Sequence, residues 1–430
     1  MKTDQIQKVH KDWYKLDLSA IVYPTLQRRD FSSVYRLSVL LKEDIDPEIL
    51  QRAVNLTMPR FPTYKAAIRK GVFWRYLEPN DRPGPFVQED VKNPCQPMHF
   101  KGNNRYLVRI YYYRNRIALE AHHSLGDGTG GMCVLQTLTA TYLRLKGHSE
   151  IENGGFVLDI LGIPDPGELE DAYMKYANAK VCPPRPGEKT YRVRGTKEPF
   201  YTLNIIDGIM SVSEVMRVAK SYNATITEYL NSVLLYALMQ KQESEWHLKL
   251  RPVKIAMPVY LRRFFPSRTL RNFITMIYPG IDPRLGEYTF EEIVTQVHNY
   301  MRYYLNEKLL RGDITTNAET QRNPFIRIVP LFIKDLVVRQ FYTKIQDKNS
   351  SAGLTNMGAL KVPETMKPYI ERFDIYMGQP FSTRTNCAIA SFEDILTINF
   401  ASSIAETDVE RLFFRKLVQD GIHVKIESNR

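Results

Sequence analysis

Residues 121–128 (AHHSLGDG) place two histidines, an acid and two glycines between a strand pattern and a helix pattern. In a strand, side chains alternate between two faces, so His123 shares a face with the apolar Ile117 and Leu119. His122 then points to the other face. An imidazole in apolar surroundings stays neutral at physiological pH and can accept a proton from an alcohol, amine or thiol. The segment therefore predicts a sharp turn that presents His123 as a general base.

Two other interpretations of this segment are less favourable. Adjacent strand residues point to opposite faces, and no His or Cys cluster lies nearby to complete a metal site, so no metal is expected. Residues 126–131 match the G-x-G-x-x-G pattern of a dinucleotide-binding turn. The preceding residues, however, predict an antiparallel hairpin that turns at 114–115, where a dinucleotide-binding fold has a continuous apolar strand. A nicotinamide-dependent oxidoreductase therefore remains a third hypothesis only.

The letters HHSLGDG resemble the HHxxxDG signature of the chloramphenicol acetyltransferase-like superfamily. That superfamily includes alcohol acetyltransferases, wax-ester and polyketide-associated acyltransferases and condensation domains of peptide synthetases, and the alcohol acetyltransferase-like branch is the most similar. The resemblance implies an α/β (α+β) fold of two lobes, each a mixed sheet with flanking helices, with the active-site channel between them. It also implies that His123 takes the proton from the acceptor and that Asp127 is structural. The same motif also implies His122 as a catalytic residue and Gly128 as structural support of the active site.

A second segment supports the resemblance. Residues 258–262 (PVYLR), followed by 271–273 (RNF), resemble a segment of the alcohol acetyltransferase-like members. Arg262 is therefore the candidate partner of Asp127. A guanidinium makes a two-point contact with a carboxylate, which would lock the turn that presents His123.

A third segment, residues 353–358 (GLTNMG), resembles the strand end that lies across the channel in these folds. Thr355 or Asn356 is the candidate donor to a developing oxyanion, an effect worth about 3 kcal/mol when the donor is well placed. An ordinary strand end explains the same residues equally well. The chain has no D-F-G-W-G motif, which argues against the BAHD branch of the superfamily.

A chain of 430 residues with 43% hydrophobic content can form two domains or subdomains. Residues 151–199 are rich in Gly and Pro and are interpreted as the connection between lobes. The N-terminal lobe is assigned to residues 1–185, with the histidine motif and most of the connection, and the C-terminal lobe to residues 186–430.

Periodicity predicts the main elements of both lobes. The predicted elements are strand 34–41, a helix opening at Asp46-Pro47, strand 201–206, helices 213–219 and 227–242 (the latter capped by Thr225 or Thr227), helices 289–308 and 325–345 (the latter divided at Pro330), a hairpin of 385–392 and 395–400, and a final helix 406–419.

Several features bear on the compartment. Residues 325–341 are hydrophobic but carry four charges, so they predict a core or interface helix, not a membrane span. The charged first residues do not resemble a secretory signal. The cysteines show no paired spacing, which is typical of reduced thiols; they are Cys95, Cys133, Cys182 and Cys387. A cytoplasmic protein is therefore expected.

The chain has 59 basic and 47 acidic residues, a net charge of +12. No nucleic-acid-binding motif accompanies the basic residues, so a nucleic-acid partner is not expected. A basic surface instead favours encounter with coenzyme A or an acidic acyl-carrier protein. The candidate patch consists of Arg262, Arg263, Arg268 and Arg271.

The leading hypothesis is a stand-alone, monomeric acyltransferase with no permanently bound cofactor. It would move an acyl group from acyl-coenzyme A, or from an acyl-carrier thioester, to a small alcohol or amine, with the ester product favoured. The alternative is a non-catalytic, condensation-like binding module that docks an acidic carrier or partner protein. The presence of both His123 and Asp127 favours the enzyme.

Overall fold

A computed structural model describes residues 13–27, 31–181, 187–199, 201–245, 247, 249–344, 349–378 and 383–430. The charged residues 1–12, Cys182 and the predicted lobe boundary at 185 lie outside the described residues.

Strands and helices are interspersed along the described residues. The strands are β1 (Tyr14–Lys15), β2 (Val34–Leu41), β3 (Ala66–Lys70), β4 (Arg75–Pro79), β5 (Val87–Glu89), β6 (Val108–Tyr113), β7 (Arg116–His122), β8 (Asn204–Ser211), β9 (Val253–Tyr260), β10 (Ile274–Ile277), β11 (Gly280–Ile281), β12 (Ala352–Ala359), β13 (Ile370–Met377), β14 (Thr385–Phe392), β15 (Ile395–Ser402) and β16 (Lys425–Ser428). The α-helices are α1 (Tyr23–Leu26), α2 (Pro47–Thr57), α3 (Gly128–Leu145), α4 (Ala172–Tyr176), α5 (Val212–Ser221), α6 (Ile226–Ser244), α7 (Phe290–Tyr304), α8 (Glu307–Arg322), α9 (Pro324–Ile328), α10 (Leu331–Lys344) and α11 (Asp408–Gln419).

The first lobe is built on a five-stranded sheet in the order β13-β2-β7-β6-β5. All its pairs are antiparallel except β5 with β6. Helix α3 packs on β2 and β7, and α2 packs on α3. Helix α2 begins where the Asp46 carboxylate accepts hydrogen bonds from the backbone N–H groups of Glu48 and Ile49, at 2.9 and 3.0 Å, with Pro47 at the first helical position. A smaller sheet, β1-β4-β3, flanks this lobe.

The second lobe is built on a larger sheet in the order β10-β9-β12-β14-β15-β8-β16, with β11 added beside β9. Strand β12 runs parallel to both its neighbours. Helix α6 packs between α7, α11 and β9. It begins in a capping box formed by Thr225 and Glu228, so Thr225 is the cap and Thr227 is not.

Strand β13 ties the two lobes together. Although it lies late in the sequence, it completes the first sheet by pairing with β2, and Ile375 lies opposite Leu37. The Asn399 side chain on β15 accepts a hydrogen bond from the backbone N–H of Ile375 at 2.9 Å. Residues of the C-terminal part therefore belong to the core of the first lobe, and the division at residue 185 stays a prediction.

The local predictions differ from the structure where no strong pattern exists. Strand 34–41, the break at Pro330 and the hairpin of β14 and β15 are confirmed. The predicted strand 201–206 was misplaced, because Tyr201 has a φ of 65° and β8 begins only at Asn204. Helix α8 was missed because it is mostly polar, and its buried hydrophobic residues form only a narrow row four residues apart, Leu310, Ile314 and Ala318. Within the described ranges, no helix is long and apolar enough to cross a membrane.

Candidate active site

The histidine motif forms the connection between β7 and α3. Strand β7 ends at His122, and Asp127 caps α3, with Oδ1 accepting hydrogen bonds from the backbone N–H groups of Thr129 (3.1 Å) and Gly130 (3.2 Å). An aspartate at this position satisfies N–H groups that the helix itself leaves unpaired. The turn is therefore fixed at both ends, by the end of β7 at His122 and by the helix cap at Asp127.

His123 is held at its backbone and at its ring. Its N–H donates to the carbonyl of Ser33 at 2.8 Å, and its carbonyl accepts from the Asn272 side chain at 2.9 Å. The ring stacks on Tyr23 at a centroid distance of 4.7 Å and lies against Tyr35 at 4.6 Å. The imidazole is therefore fixed between two aromatic rings.

Burial lowers the pKa of His123 to about 4, and the Asp127 carboxylate and the backbone of Gly126 oppose that lowering. Nδ1 of His123 is buried and has no hydrogen-bond partner of normal geometry among the described residues. The residue as a whole is only half-buried. The imidazole of His123 is therefore neutral at physiological pH.

His122 is completely buried, although the sequence pattern placed it away from the apolar face. Its Nδ1 accepts a hydrogen bond from the backbone N–H of Ser124 at 3.2 Å, and its ring meets Phe100 edge-on at 5.5 Å. Burial, followed by the proximity of His123, lowers the pKa of His122 to about 3. The pattern failed here because both faces of β7 are covered, with the neighbouring Glu120 also buried. His122 is therefore a buried residue that stabilises the turn through its hydrogen bond with the Ser124 backbone.

Both oxygens of the Asp127 carboxylate accept hydrogen bonds from other groups of the protein. Arg262 Nη1 lies 2.7 Å from Oδ2, and the backbone N–H of Phe273 donates to the same oxygen at 2.9 Å. The other guanidinium N–H groups donate to the carbonyls of Thr269 (2.9 Å) and Arg271 (2.5 Å). The contact is therefore single-point instead of the expected two-point pair, because Arg262 also holds the 269–271 loop. With four donors on it, the Asp127 carboxylate fixes the turn.

A buried carboxylate that the sequence pattern did not indicate supports the same turn. Asp17 is completely buried and accepts hydrogen bonds from the Asn272 side chain at 3.1 Å and from the Ala20 backbone at 2.8 Å. Arg271 Nε lies 3.7 Å from it. Burial raises the pKa of Asp17, and Arg271 opposes the rise. Asp17 orients the amide that holds the His123 carbonyl, a contact between residues 255 positions apart.

Thr355 and Asn356 lie on β12 with different environments. Thr355 Oγ1 is 3.3 Å from the hydroxyl of Tyr260, at the end of β9. The Asn356 amide is already committed, because its Nδ2 donates to the Thr227 hydroxyl at 2.8 Å and its Oδ1 accepts from the Gly358 backbone at 2.7 Å. The Thr355 hydroxyl is therefore more available than the Asn356 amide to donate a hydrogen bond to a bound molecule.

Tyr260 lies beside Thr355, although the sequence analysis did not identify it as a candidate site residue. Its hydroxyl donates to the Met357 sulfur at 2.8 Å, and burial raises its pKa to about 12. A Cβ atom added at Gly128 would lie 3.0 Å from that sulfur and 3.9 Å from the Tyr260 hydroxyl. The start of α3 and the ends of β9 and β12 therefore meet at Gly128, where a side chain would fill the space between them.

The other glycines of the motif serve packing. A Cβ at Gly126 would lie 2.5 Å from the Leu270 carbonyl oxygen, and one at Gly130 only 1.9 Å from it. Strand β7 is antiparallel to both its neighbours. The glycine face that a pyrophosphate approaches in a dinucleotide-binding turn is occupied here by protein backbone, which argues against that hypothesis.

Gly130→Ala is expected to lower the free energy of unfolding by about 1–3 kcal/mol or more, because backbone atoms cannot yield to the new methyl group. Gly102→Ala is the matched control, since its Cβ would meet only ordinary contacts, 3.5 Å from the His99 carbonyl oxygen and 3.6 Å from the His99 side chain. Chemical denaturation of both variants measures the difference. Equal stabilities would contradict the close packing of α3 on the 269–273 segment.

The four arginines predicted as a patch do not form one. Arg262 and Arg271 are largely buried in the contacts described above, while Arg268 projects into solvent and pairs with Asp165 at 3.4 Å. A different group of cations lines a surface pocket of about 460 Å³; its members are Arg192, Arg194, Lys249, Arg251 and Arg384. Across the part of the chain that the structure describes, no cluster of His, Cys, Asp or Glu could hold a metal ion.

No protein-family model matches the sequence, and no curated protein matches it. Solved structures do match its fold. TRI101 from F. sporotrichioides, complexed with coenzyme A and T-2, is 13% identical with a TM-score of 0.62, over 96% of this chain and 99% of that one. A mutant of the starter condensation domain of rhizomide synthetase RzmA, in complex with C8-CoA, is 12% identical with a TM-score of 0.59, over 98% and 100%. Polyketide synthase associated protein 5 from Mycobacterium tuberculosis is 13% identical with a TM-score of 0.58, over 95% and 97%. The predicted fold, two lobes that are each a mixed sheet with flanking helices, is confirmed by these likenesses.

Proposed function

We propose that this protein is an acyltransferase that moves an acyl group from a thioester donor to an alcohol or amine, with an ester as the favoured product. The observation that carries the proposal is the state of His123. It is a neutral imidazole, fixed between Tyr23 and Tyr35. Its backbone is held by Ser33 of the first lobe and Asn272 of the second.

In the proposed reaction, His123 accepts the hydroxyl or amine proton as the acceptor attacks the thioester carbonyl carbon. Because Nδ1 is buried, Nε2 is the ring nitrogen available to the acceptor. The new C–O or C–N bond gives a tetrahedral oxyanion, for which Thr355 is the proposed donor, with Tyr260 beside it. Collapse of the oxyanion breaks the C–S bond, and the proton held by His123 passes to the leaving thiolate.

The structural neighbours support a coenzyme A thioester as the donor. TRI101 is complexed with coenzyme A, and the RzmA condensation domain with C8-CoA. A further neighbour is the trichothecene 15-O-acetyltransferase TRI3. An acyl-carrier thioester remains the second donor candidate, and the net charge of +12 favours encounter with either anionic donor.

The test is free-thiol release from a panel of acyl-coenzyme A donors, with mixed alcohols and amines as acceptors. We expect thiol release that depends on the acceptor. A second arm replaces the donor by acyl-loaded carrier protein. Absence of release in both arms, together with binding of the carrier, would instead establish the non-catalytic binding module.

The pH dependence of kcat/KM provides a separate prediction. Since the pKa of His123 is about 4, the base stays neutral and kcat/KM for an alcohol acceptor should be flat from about pH 8 to about pH 6. An ordinary histidine, with a pKa of about 6.5, would already be half-protonated near the acidic end of that range. An acid limb centred near pH 6.5 would contradict the buried environment of His123.

The same pKa shifts affect stability, and circular dichroism at each pH is the control. The pKa values of His122 and His123 are lowered in the folded state, so below about pH 6.5 these two residues bind more protons in the unfolded chain than in the folded one. These histidines therefore do not reduce the free energy of unfolding above about pH 6.5. Below that pH the free energy of unfolding decreases as the pH falls towards their folded pKa values. Rates are therefore compared only where the folded signal is unchanged.

A further inference from the structure

An exposed apolar surface joins two parts of the chain that are far apart in sequence. It consists of α9, α10 and the turn between β3 and β4. Seven of its large apolar side chains are at least half exposed: Val72, Trp74, Phe325, Ile328, Phe332, Leu336 and Val337. Single exposed apolar residues are common, whereas contiguous groups mark interaction sites. We call these seven residues the apolar surface.

Helix α10 is oriented opposite to a normal surface helix. Its apolar residues Phe332 and Leu336 face solvent, and its acidic residue Asp335 faces the protein. The Asp335 carboxylate accepts hydrogen bonds from Arg75 at 2.8 and 2.5 Å and from the Thr25 hydroxyl at 2.8 Å. A surface helix of a soluble protein normally buries its apolar stripe, whereas the described residues leave Phe332 and Leu336 of α10 exposed, as docking on an apolar partner would require.

The apolar surface is rigidly built. The backbone N–H of Leu331 donates to the Val72 carbonyl at 2.8 Å, and the Lys334 ammonium donates to the carbonyls of Phe73 (2.9 Å) and Arg327 (3.1 Å). The two helices and the turn are therefore one unit. The contact of Asp335 with Thr25 also attaches this unit to α1, the element that carries Tyr23 beside His123.

The charge of residues 322–344 indicates the kind of partner that fits the apolar surface. Residues 322–344 contain five basic residues and a single acid, Asp335, whose charge Arg75 already neutralises. Two copies of such a surface would repel each other. Basic residues among aliphatic and aromatic ones suit the headgroup region of an anionic bilayer, and the half-exposed Trp74 is of the residue type that concentrates at that depth.

We propose that the apolar surface docks this protein on an anionic lipid bilayer, with α9 and α10 lying in the plane of the headgroups. The apolar side chains enter the boundary between headgroups and acyl chains, and the excess of basic residues in this segment attracts the anionic lipids. This docking goes beyond the proposed acyl transfer and does not depend on it, so vesicle binding tests it separately.

The experiment is co-sedimentation of the full chain with phosphatidylcholine vesicles, with and without about 30 mol% phosphatidylglycerol. We expect association with the anionic vesicles that is at least about tenfold stronger than with the neutral ones, and that weakens at high salt because charge attraction is screened. Phe332→Asp/Leu336→Asp should reduce association at least about tenfold. The control Leu161→Asp/Leu285→Asp changes two leucines outside the surface that are at least as exposed as Phe332 and Leu336, and it should bind as the wild type.

Circular dichroism checks that both double variants are folded, which their exposed positions favour. Equal binding of wild type and Phe332→Asp/Leu336→Asp would overturn the proposal, as would no association with either vesicle. Light scattering without vesicles completes the test. A dimer that forms in place of vesicle binding and is lost in Phe332→Asp/Leu336→Asp would show that a second copy covers the surface, and would equally overturn it.

Discussion

Replacement of His123 by alanine is expected to reduce acceptor-dependent thiol release by a factor on the order of 10²–10⁴. The imidazole is the proposed acceptor of the proton that leaves the nucleophile, and that role exists only in the transition state. The losses in kcat and in kcat/KM should therefore be similar. Binding of the donor should change little.

His123→Ala should remain folded. The two backbone contacts, from Ser33 and Asn272, do not depend on the side chain, and the lost ring contacts with Tyr23 and Tyr35 are worth about 0.5–1.5 kcal/mol each. His99→Ala is the matched control, because His99 is exposed and outside the turn. A folded His123→Ala enzyme with near-normal turnover would remove His123 from the mechanism and leave the alternative of a different base.

The sequence predicted the elements around the site because their signals are local. The hairpin at 114–115, the turn and the following helix lie within about forty consecutive residues, with clear alternation, two glycines and an aspartate that caps the helix. Arg262 was found only through resemblance to a family, since nothing in its own neighbourhood distinguishes a buried partner of Asp127 from a solvated arginine.

The remaining parts of the site depend on contacts between distant residues. Asp17 has no pattern around it, and its role arises from contact with Asn272, 255 positions away. Strand β13 joins the first sheet from the end of the chain. The burial of His122 depends on the segment around Phe100 that covers the second face of β7. Periodicity reports which faces of an element are apolar, and it does not report which distant segment will cover them.

The largest expected effect on stability is at Asp127. Asp127→Ala removes the cap of α3 and leaves the Arg262 guanidinium without its carboxylate, in a site where the Asp127 side chain is 2% exposed and that of Arg262 is 13% exposed. Removing one partner of such a buried pair costs about 3–5 kcal/mol, because the other charge is left uncompensated. Chemical denaturation should show that loss, and turnover should fall with it, because the turn that holds His123 is no longer fixed.

Two further variants separate the cap from the charge. Asparagine caps helices as well as aspartate does, so Asp127→Asn should keep the cap of α3. It should lose the ion pair and the hydrogen bond from the Phe273 N–H, because an amide nitrogen in place of Oδ2 cannot accept either donor. Arg263→Ala is the control for the arginine side, because Arg263 is exposed and adjacent to Arg262, and its stability should stay within about 0.5 kcal/mol of wild type. An Asp127→Ala protein as stable as Arg263→Ala would show that the pair does not hold the turn.

The double variant Asp127→Ala/Arg262→Met tests whether the Asp127–Arg262 pair only stabilises the fold or also positions His123 for turnover. With both charges gone, no uncompensated charge is buried, so the double variant should be more stable than the sum of the single losses predicts. Turnover should not recover in parallel, since Phe273, Thr129 and Gly130 still lack the carboxylate that they share in the wild type. Recovered stability with persistently low kcat would mean that the pair acts by positioning His123. Recovery of both would mean that the fold alone, without this contact, presents the base.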